Sequence, residues 1–518
     1  MSFPPSPRRA ASAAFCALLF CALPMTGAQA QSTAVFPGQA ITEDIVNEAF
    51  GLISSELVTL DVPSYYDGEL NVTVPFRGVD YDLDLSPHSV RGDNYQLMDT
   101  DQNGVLHPVA PGPILTKRGV VVGQNGSIVA ASLTEGLEAA IYFQDESAIY
   151  VLPVSQEVAG APANLHVVYH SDDVLALPEN ACGLDDLYGG NVPASPDYSR
   201  GAPKVDCTGG LWICELAVDS DWEYFLDLGS VAAAEARINQ VINTINVQYE
   251  RDVSIAHEIV YLETHSTNND GYSTNDPSAL LGQFRNYWNN NRTNVDRDVA
   301  QLFTGRNMSG SVIGIAFLSV ICIRSSAYSV VENIGNASCR SDLSAHELGH
   351  NWSAQHCSCS GWTMNASLTC GNRFIAATKT KISSYRNNRA CLHCDSVTVC
   401  QTDIGFGGPG DALLEICGGD LSSGTTADLT LTNGYNFGQA FIQVSLSNNP
   451  TSFMGGLLVP VPGVSIGPIS MDNAGSLVVP NIQGGGVAVW YVQVFHQDFD
   501  QPSPFVGLSN AVRVQMLP

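Results

Sequence analysis

The segment His346-Glu347-Leu-Gly-His350 sets two imidazoles four residues apart, with a carboxylate beside the first. On a helix that spacing projects both rings from one face, about one turn apart. Two neutral imidazole nitrogens can then bind one zinc ion at about 2.0–2.1 Å, while Glu347 is angled to reach a metal-bound water rather than the metal. His356 comes six residues after His350. A continuous helix would carry it away from the ion. The helix is therefore predicted to end near Asn351 to Ser353, with the chain turning back to deliver His356 as a third ligand. Three His ligands leave a fourth position for water, which is the catalytic arrangement. Two blander readings stay open: a closed structural zinc site completed by Cys357 or Cys359, and a surface helix with scattered histidines.

The elements that must position these residues change in texture along the chain. Residues 31 to about 200 read as β-rich, with strands or strand ends at Asn71-Val-Thr-Val-Pro-Phe, Val120-Val-Val-Gly, Ala139-Ala-Ile-Tyr-Phe and Ala148-Ile-Tyr-Val-Leu. Between Cys182 and Cys214 the Gly, Pro and Asp content predicts a linker. From Leu211 strands and helices alternate, which indicates an α/β domain. Ala234, Ile238, Val241, Ile242, Ile245 and Tyr249 share one helical face. A second helix is predicted after Asp276-Pro277, with Leu280, Leu281, Phe284, Tyr287 and Trp288 inward, and Val312-Ile-Gly-Ile-Ala-Phe reads as a buried strand. After Cys400, β alternations broken by Gly, Asn and Pro turns predict a small all-β sandwich over 401–518.

The chain has 518 residues, with 22 Lys+Arg against 51 Asp+Glu and a formal charge of −29. Such an excess of acid repels a phosphate backbone, which argues against nucleic acid as a partner. At 45% hydrophobic residues the chain can bury sizeable cores, and its length predicts several domains. Arg8 and Arg9, the apolar run Ala10 to Leu23 and Ala28-Gln-Ala30 have the order of a signal peptide cleaved after Ala30. That run is short for a bilayer, and no later segment reaches transmembrane length, so no membrane anchor is predicted. The chain is expected in an extracellular, oxidising space, where the 12 cysteines of its 14 that follow Ala30 would form disulfides.

The stretch Ser344 to Cys357 resembles the metzincin zinc signature His-Glu-x-x-His-x-x-Gly-x-x-His, and His350-Asn-Trp resembles its adamalysin/reprolysin (ADAM-like) branch. Ser353 stands where the family has Gly, and Cys357 where this branch has Asp. A non-Gly residue at positive φ there would cost about 1 kcal/mol. Met364, in Gly361-Trp-Thr-Met, matches the family's Met-turn, which lies beneath the metal without binding it. Asp298-Val-Ala-Gln-Leu-Phe-Thr-Gly followed by Ile313-Gly-Ile-Ala resembles the helix and edge strand that precede the site, and Ile382-Ser-Ser-Tyr with Cys391-Leu resembles the closing helix and cysteine. In related proteases that edge strand pairs with extended substrate.

Thr116-Lys-Arg-Gly through Ala131-Ser-Leu-Thr-Glu-Gly resembles a reprolysin propeptide, which would put Cys182-Gly183 in the place of a cysteine switch. A thiolate there could take the open metal position; an ordinary half-cystine is the alternative. With Cys182 free, parity requires one further unpaired or intermolecular cysteine. Cys322 with Cys391 is the disulfide that family analogy suggests.

Beside the signal peptide (1–30) and the C-terminal β-sandwich-like domain (401–518) read from the residues, the resemblance implies a propeptide (31–205) and a zinc metalloprotease domain (206–400). It implies a secreted zinc endopeptidase acting on proteins or peptides from a latent zymogen, with Glu347 as acid/base and His346, His350 and His356 on zinc. The rival reading is an exported binding or surface protein with an inactive protease-like domain. Asp99-Thr-Asp-Gln-Asn-Gly opens like a calcium loop, but position twelve is Ala110, so a polar turn is the better reading and the sequence does not support a calcium requirement. Arg91-Gly-Asp reads as a plain loop, and the sequon at Asn351 would set a glycan against the ligands.

Overall fold

A computed structural model describes residues 40–516 except 64–65, 125, 135, 144–147, 176–179, 192–206, 208–209, 396–398, 420 and 423–424. The expected signal peptide lies outside the described residues, as do Arg200 and Lys204, near either of which removal of the expected propeptide, between Gly183 and Leu211, would fall. The fold is β-rich with few helices.

An antiparallel eight-stranded sheet comes first, in the order Glu56–Thr59, Leu165–His170, Ala148–Pro153, Leu137–Tyr142, Ile128–Leu133, Thr116–Val121, Val79–Pro87, Leu70–Phe76. Its middle strands are buried on both faces, so Ala148–Pro153 reads as an unbroken apolar run and Leu137–Tyr142 is interrupted only by the buried Glu138. One face meets Val247 of the long helix Val231–Val253 and Ala337 at the start of the motif helix Ala337–Asn351.

The second sheet carries the site. Its order is Ala181–Cys182, Val312–Ala316, Tyr328–Glu332, Val299–Thr304, Leu211–Ser220, Ile255–Thr264, Arg91–Thr100, Leu106–Val109, with His393–Asp395 against Leu211–Ile213. The long helix packs its predicted apolar face here: Ala234, Ile238, Val241, Ile242, Ile245 and Tyr249 are all buried. Asp276 caps the helix Pro277–Asn291 by accepting from Ala279 N; Leu280, Leu281, Phe284 and Trp288 are buried, while Tyr287 is half-buried.

Three expectations need correcting. Val299–Thr304 is a fully buried parallel strand, not the helix that its family resemblance suggested. A strand enclosed on both faces loses the period-two signature and can be mistaken for a buried helix. The supposed linker after Cys182 is ordered at its start: Ala181–Cys182 pairs with Val312–Ala316, and a short helix, Leu184–Leu187, follows. The Arg91-Gly-Asp tripeptide lies in a strand rather than a loop, with Arg91 paired to Glu235 at 3.0 Å. The Asp99–Gly104 stretch is the predicted polar turn: Asp101 accepts from Asn103 N and Val105 N, and Asp99 from Ser266.

Residues 399–516 form two stacked antiparallel sheets, of four and five strands, around Leu414, Ile416, Leu431, Val492, Val494, Val512 and Val514. Cys400–Cys417 ties the start of this module. No described helix is long and apolar enough to cross a membrane.

Candidate metal centre

Asn336 starts the motif helix by accepting from Ser338 N and Cys339 N, which satisfies amide donors the first turn would otherwise leave bare. Cys339–Cys370 then staples that turn to the loop beyond Met364. The helix runs to Asn351, within the predicted range, and every residue of it is buried. Ser353 has φ of 78° and does what a glycine would do at the turn; its side chain meets Ser319 Oγ at 2.9 Å. Asn351 is buried and donates to the carbonyls of Phe317 and Tyr328, so its sequon cannot carry a glycan in this fold.

The turn brings His356 back to its helical partners. His346 Nε2 lies 3.0 Å from His350 Nε2 and 3.3 Å from His356 Nε2. The outer nitrogens decide what these contacts mean. His346 Nδ1 faces the Thr363 carbonyl at 2.5 Å, and His350 Nδ1 the Ala354 carbonyl at 2.8 Å. A carbonyl only accepts, so each Nδ1 carries the hydrogen and each Nε2 presents a lone pair. His356 Nδ1 is likewise turned toward Asp185 Oδ2, at 3.4 Å. Lone pairs 3 Å apart repel unless a cation lies among them, and about 3.3 Å is the separation of two ligands on a tetrahedral ion bound at 2.0–2.1 Å. The donor set therefore fits zinc.

Burial keeps the rings neutral, as metal ligands must be: His346 is pushed down to about 3, His350 well below its ordinary value, and His356 also downward. Glu347 is fully buried, and that burial lifts its carboxyl to about 8. Its Oε1 has no hydrogen-bond partner among the described residues, and its Oε2 receives the Cys182 thiol at 3.6 Å. Gly314 makes room for it, since a Cβ there would collide with Oε1 and lie 2.8 Å from Leu343. Met364 lies under the helix against Gly349, where a Cβ would meet its sulfur at 2.7 Å.

Cys182 enters from the other side, its Sγ 3.4 Å from His350 Nε2, and with the three histidines it forms one group of possible ligands within 4.8 Å. Burial, then the Glu347 carboxylate, pushes its thiol up. Its backbone is held on both flanks: Ala181 N donates to Ser311 O, Gly183 N to Gly314 O, Cys182 N to Ala366 O, and Leu368 N to Asn180 O.

Sequence reasoning missed Asp185, whose only signal was its place three residues after Cys182. It also missed Asp342, which accepts from Thr363 Oγ1, Gly371 N and Asn372 N and so shapes the loop whose Thr363 carbonyl orients His346. Cys357 and Cys359 are bonded to each other, so neither thiol completes the site. Cys322–Cys391 forms as analogy suggested, and buried Cys214 is the further free cysteine that parity required.

Residues 212–391 match the sequence profile of metallo-peptidase family M12, reprolysin type. Within those residues the chain is similar to the reprolysin-type metalloproteases. Over 251 residues it is 25% identical to disintegrin and metalloproteinase domain-containing protein 19 of Mus musculus, covering 46% of this chain and 26% of that one. Over 126 residues it is 30% identical to the hemorrhagic metalloproteinase-disintegrin-like kaouthiagin of Naja kaouthia, covering 24% of this chain and 31% of that one. The chain thus spans less than a third of the length of these curated relatives. It is also similar to metalloproteinase-II from Bacteroides fragilis, at 14% identity and a TM-score of 0.36, over 62% of this chain and 92% of that one. The reprolysin-type segment includes His346, Glu347, His350, His356 and Met364, and excludes Cys182.

Proposed function

We propose that the chain is an exported zinc endopeptidase made as a latent precursor. In this reading residues 1–30 are a signal peptide, 31–205 a propeptide, 206–400 the catalytic domain and 401–518 an accessory β module. His346, His350 and His356 hold the zinc, Met364 supports them from below, and Cys182 holds the site latent. The observation that carries this reading is the convergence of three bare imidazole nitrogens beside the unpartnered Oε1 of a buried glutamate. Disulfides through residues 207–417 agree with an oxidising destination.

Zinc bound there supplies a Lewis acid that polarises the scissile carbonyl and acidifies the attacking water. The chain's own residues do the rest. Val312–Ala316 and the Ala366–Leu368 segment offer main-chain donors and acceptors on either side of the cleft, which suits an extended peptide of many sequences. Glu347 accepts a proton from the attacking water on a carboxylate oxygen and delivers it to the leaving amine nitrogen. Thr363 O and Ala354 O hold the His346 and His350 rings in one tautomer. While residues 180–183 fill the cleft, their backbone takes the partners a substrate would use and the Cys182 sulfur sits against His350 and Glu347.

The test is hydrolysis of a peptide library by the processed protein with and without chelator, alongside Glu347→Gln. Activity lost to chelator and to the substitution supports the reading. Equal activity in wild type and Glu347→Gln, or less than about one zinc per folded chain, overturns it.

A further inference from the structure

Residues before 192 occupy both edges of the site-bearing sheet. At one edge Ala181–Cys182 lies on Val312–Ala316, inside the cleft. At the opposite edge the hairpin of Arg91–Thr100 and Leu106–Val109 adds two strands beyond Ile255–Thr264. The pairing there is parallel, with Tyr261 opposite Gln96, Leu262 opposite Leu97, Glu263 opposite Met98 and Thr264 opposite Asp99. Val90 and Leu97 are 2% and 3% exposed, and their side chains join the same apolar cluster as Leu216, Ile259 and Leu262.

Polar ties fix the hairpin at both ends. Glu235 on the long helix pairs with Arg91 at 3.0 Å and accepts from Tyr95 Oη and Gly112 N, both at 2.9 Å. Asp99 accepts from Ser266 N at 3.0 Å and from Ser266 Oγ at 2.9 Å. A third contact lies between the edges. Arg118 donates to Asn243 Oδ1 at 2.6 Å and pairs with Glu250 at 3.2 Å, while Asn243 donates back to the carbonyls of Lys117 and Ala131. None of the described disulfides links residues before 192 to residues after 206.

We propose that cutting the chain within 192–206 does not release the N-terminal part: it stays as a strand-sharing inhibitor, anchored by the 91–109 hairpin independently of Cys182. Main-chain pairing with Ile255–Thr264 and burial of Val90 and Leu97 survive a cut made elsewhere in the chain, and the cleft segment stays tethered to them at high effective concentration. Latency then ends only when the hairpin leaves its edge. This rests on the protease reading for its activity readout, whereas the docking itself does not.

The test uses the full chain with a recognition sequence for a site-specific protease placed within 192–206. After cutting, the two fragments are expected to co-elute on size exclusion, in wild type and in Cys182→Ala alike. Peptide hydrolysis by cut wild type should rise less than about twofold, an estimate that assumes intramolecular reclosing of the cleft. Arg91→Ala with Asp99→Ala removes two charge-assisted contacts and should raise the rate of fragment dissociation about tenfold or more. Fragments of Cys182→Ala that separate on cutting, or a dissociation rate unmoved by the paired substitution, overturn the proposal. Hydrogen exchange at the Ile255–Thr264 amides of the cut wild type gives a readout that does not depend on either variant folding. Protection there supports the anchor, and its loss on cutting refutes it. If the fragments co-elute but the stripped C-terminal fragment never shows chelator-sensitive hydrolysis, the protease reading falls and the docking stands.

Discussion

Between Leu211 and Asp395 the interior holds Asp219, Asp221, Glu263, His265, Asp342, His346 and Glu347, and four disulfides brace it. The C-terminal sandwich fills its interior with Leu414, Ile416, Leu431, Val492 and Val494; Asp498 is its one buried carboxylate among the described residues, and one disulfide suffices. The first region carries the cost of desolvated polar groups and offsets it with specific partners. Its arrangement is therefore sensitive to single atoms. The second depends on volume and alternation, so it can be disturbed without touching the candidate metal centre.

Expected outcomes follow from that contrast, from the largest effect down. Glu347→Gln in the processed protein should lower kcat by about 10²–10⁴-fold, the usual worth of a general acid/base, with zinc content and thermal unfolding little changed. Kinetics and metal analysis on one preparation check this; loss of both metal and fold would make Glu347 a structural residue instead. In the sandwich, Leu414→Ala should cost about 2–5 kcal/mol in that module's unfolding while zinc content and hydrolysis stay at wild-type levels. Denaturant melts followed by Trp490 fluorescence would show it, and a parallel fall in zinc binding would mean the two regions are coupled.

Gly349→Ala brings a Cβ against the Met364 sulfur and should destabilise the site-bearing region by about 1–3 kcal/mol. Pairing it with Met364→Ala should recover part of the loss, as a double-mutant cycle in urea would reveal. The smallest effect concerns Asp221, whose carboxyl burial lifts to about 7 against hydrogen bonds from Thr304, Gly305 and Tyr224. Because the folded value lies above the unfolded one of about 3.9, the folded state keeps this proton longer. Its contribution is thus most favourable below about pH 4 and declines as pH rises toward 7. Asp221→Asn should flatten that decline, seen as a smaller drop in urea midpoint between pH 4 and 7 than wild type shows.

The motif helix was readable because a four-residue spacing is a property of local backbone geometry, and its end was readable because His356 had to return. The helix caps at Asp276 and the long apolar face of Val231–Val253 were local in the same sense. Val299–Thr304 was expected as a helix from the family resemblance alone, and its full burial erases the alternation that would have marked a strand. The hairpin at 91–109 was assigned to the first β-rich stretch, yet it pairs with Ile255–Thr264, more than a hundred residues later, a pairing with no local signature.

The order of residues alone determined which side chains could meet a metal, where their helix must stop, and that the C-terminal segment alternates as a sandwich does. These follow from short-range periodicity and from the chemistry of His, Glu and Cys. Only the tertiary structure decided that Thr363 sets the His346 tautomer, that Asp185 meets His356, and that one N-terminal segment grips both edges of the central sheet. Those are contacts between distant parts of the chain, made by burial and main-chain pairing, and neither leaves a spacing in the sequence.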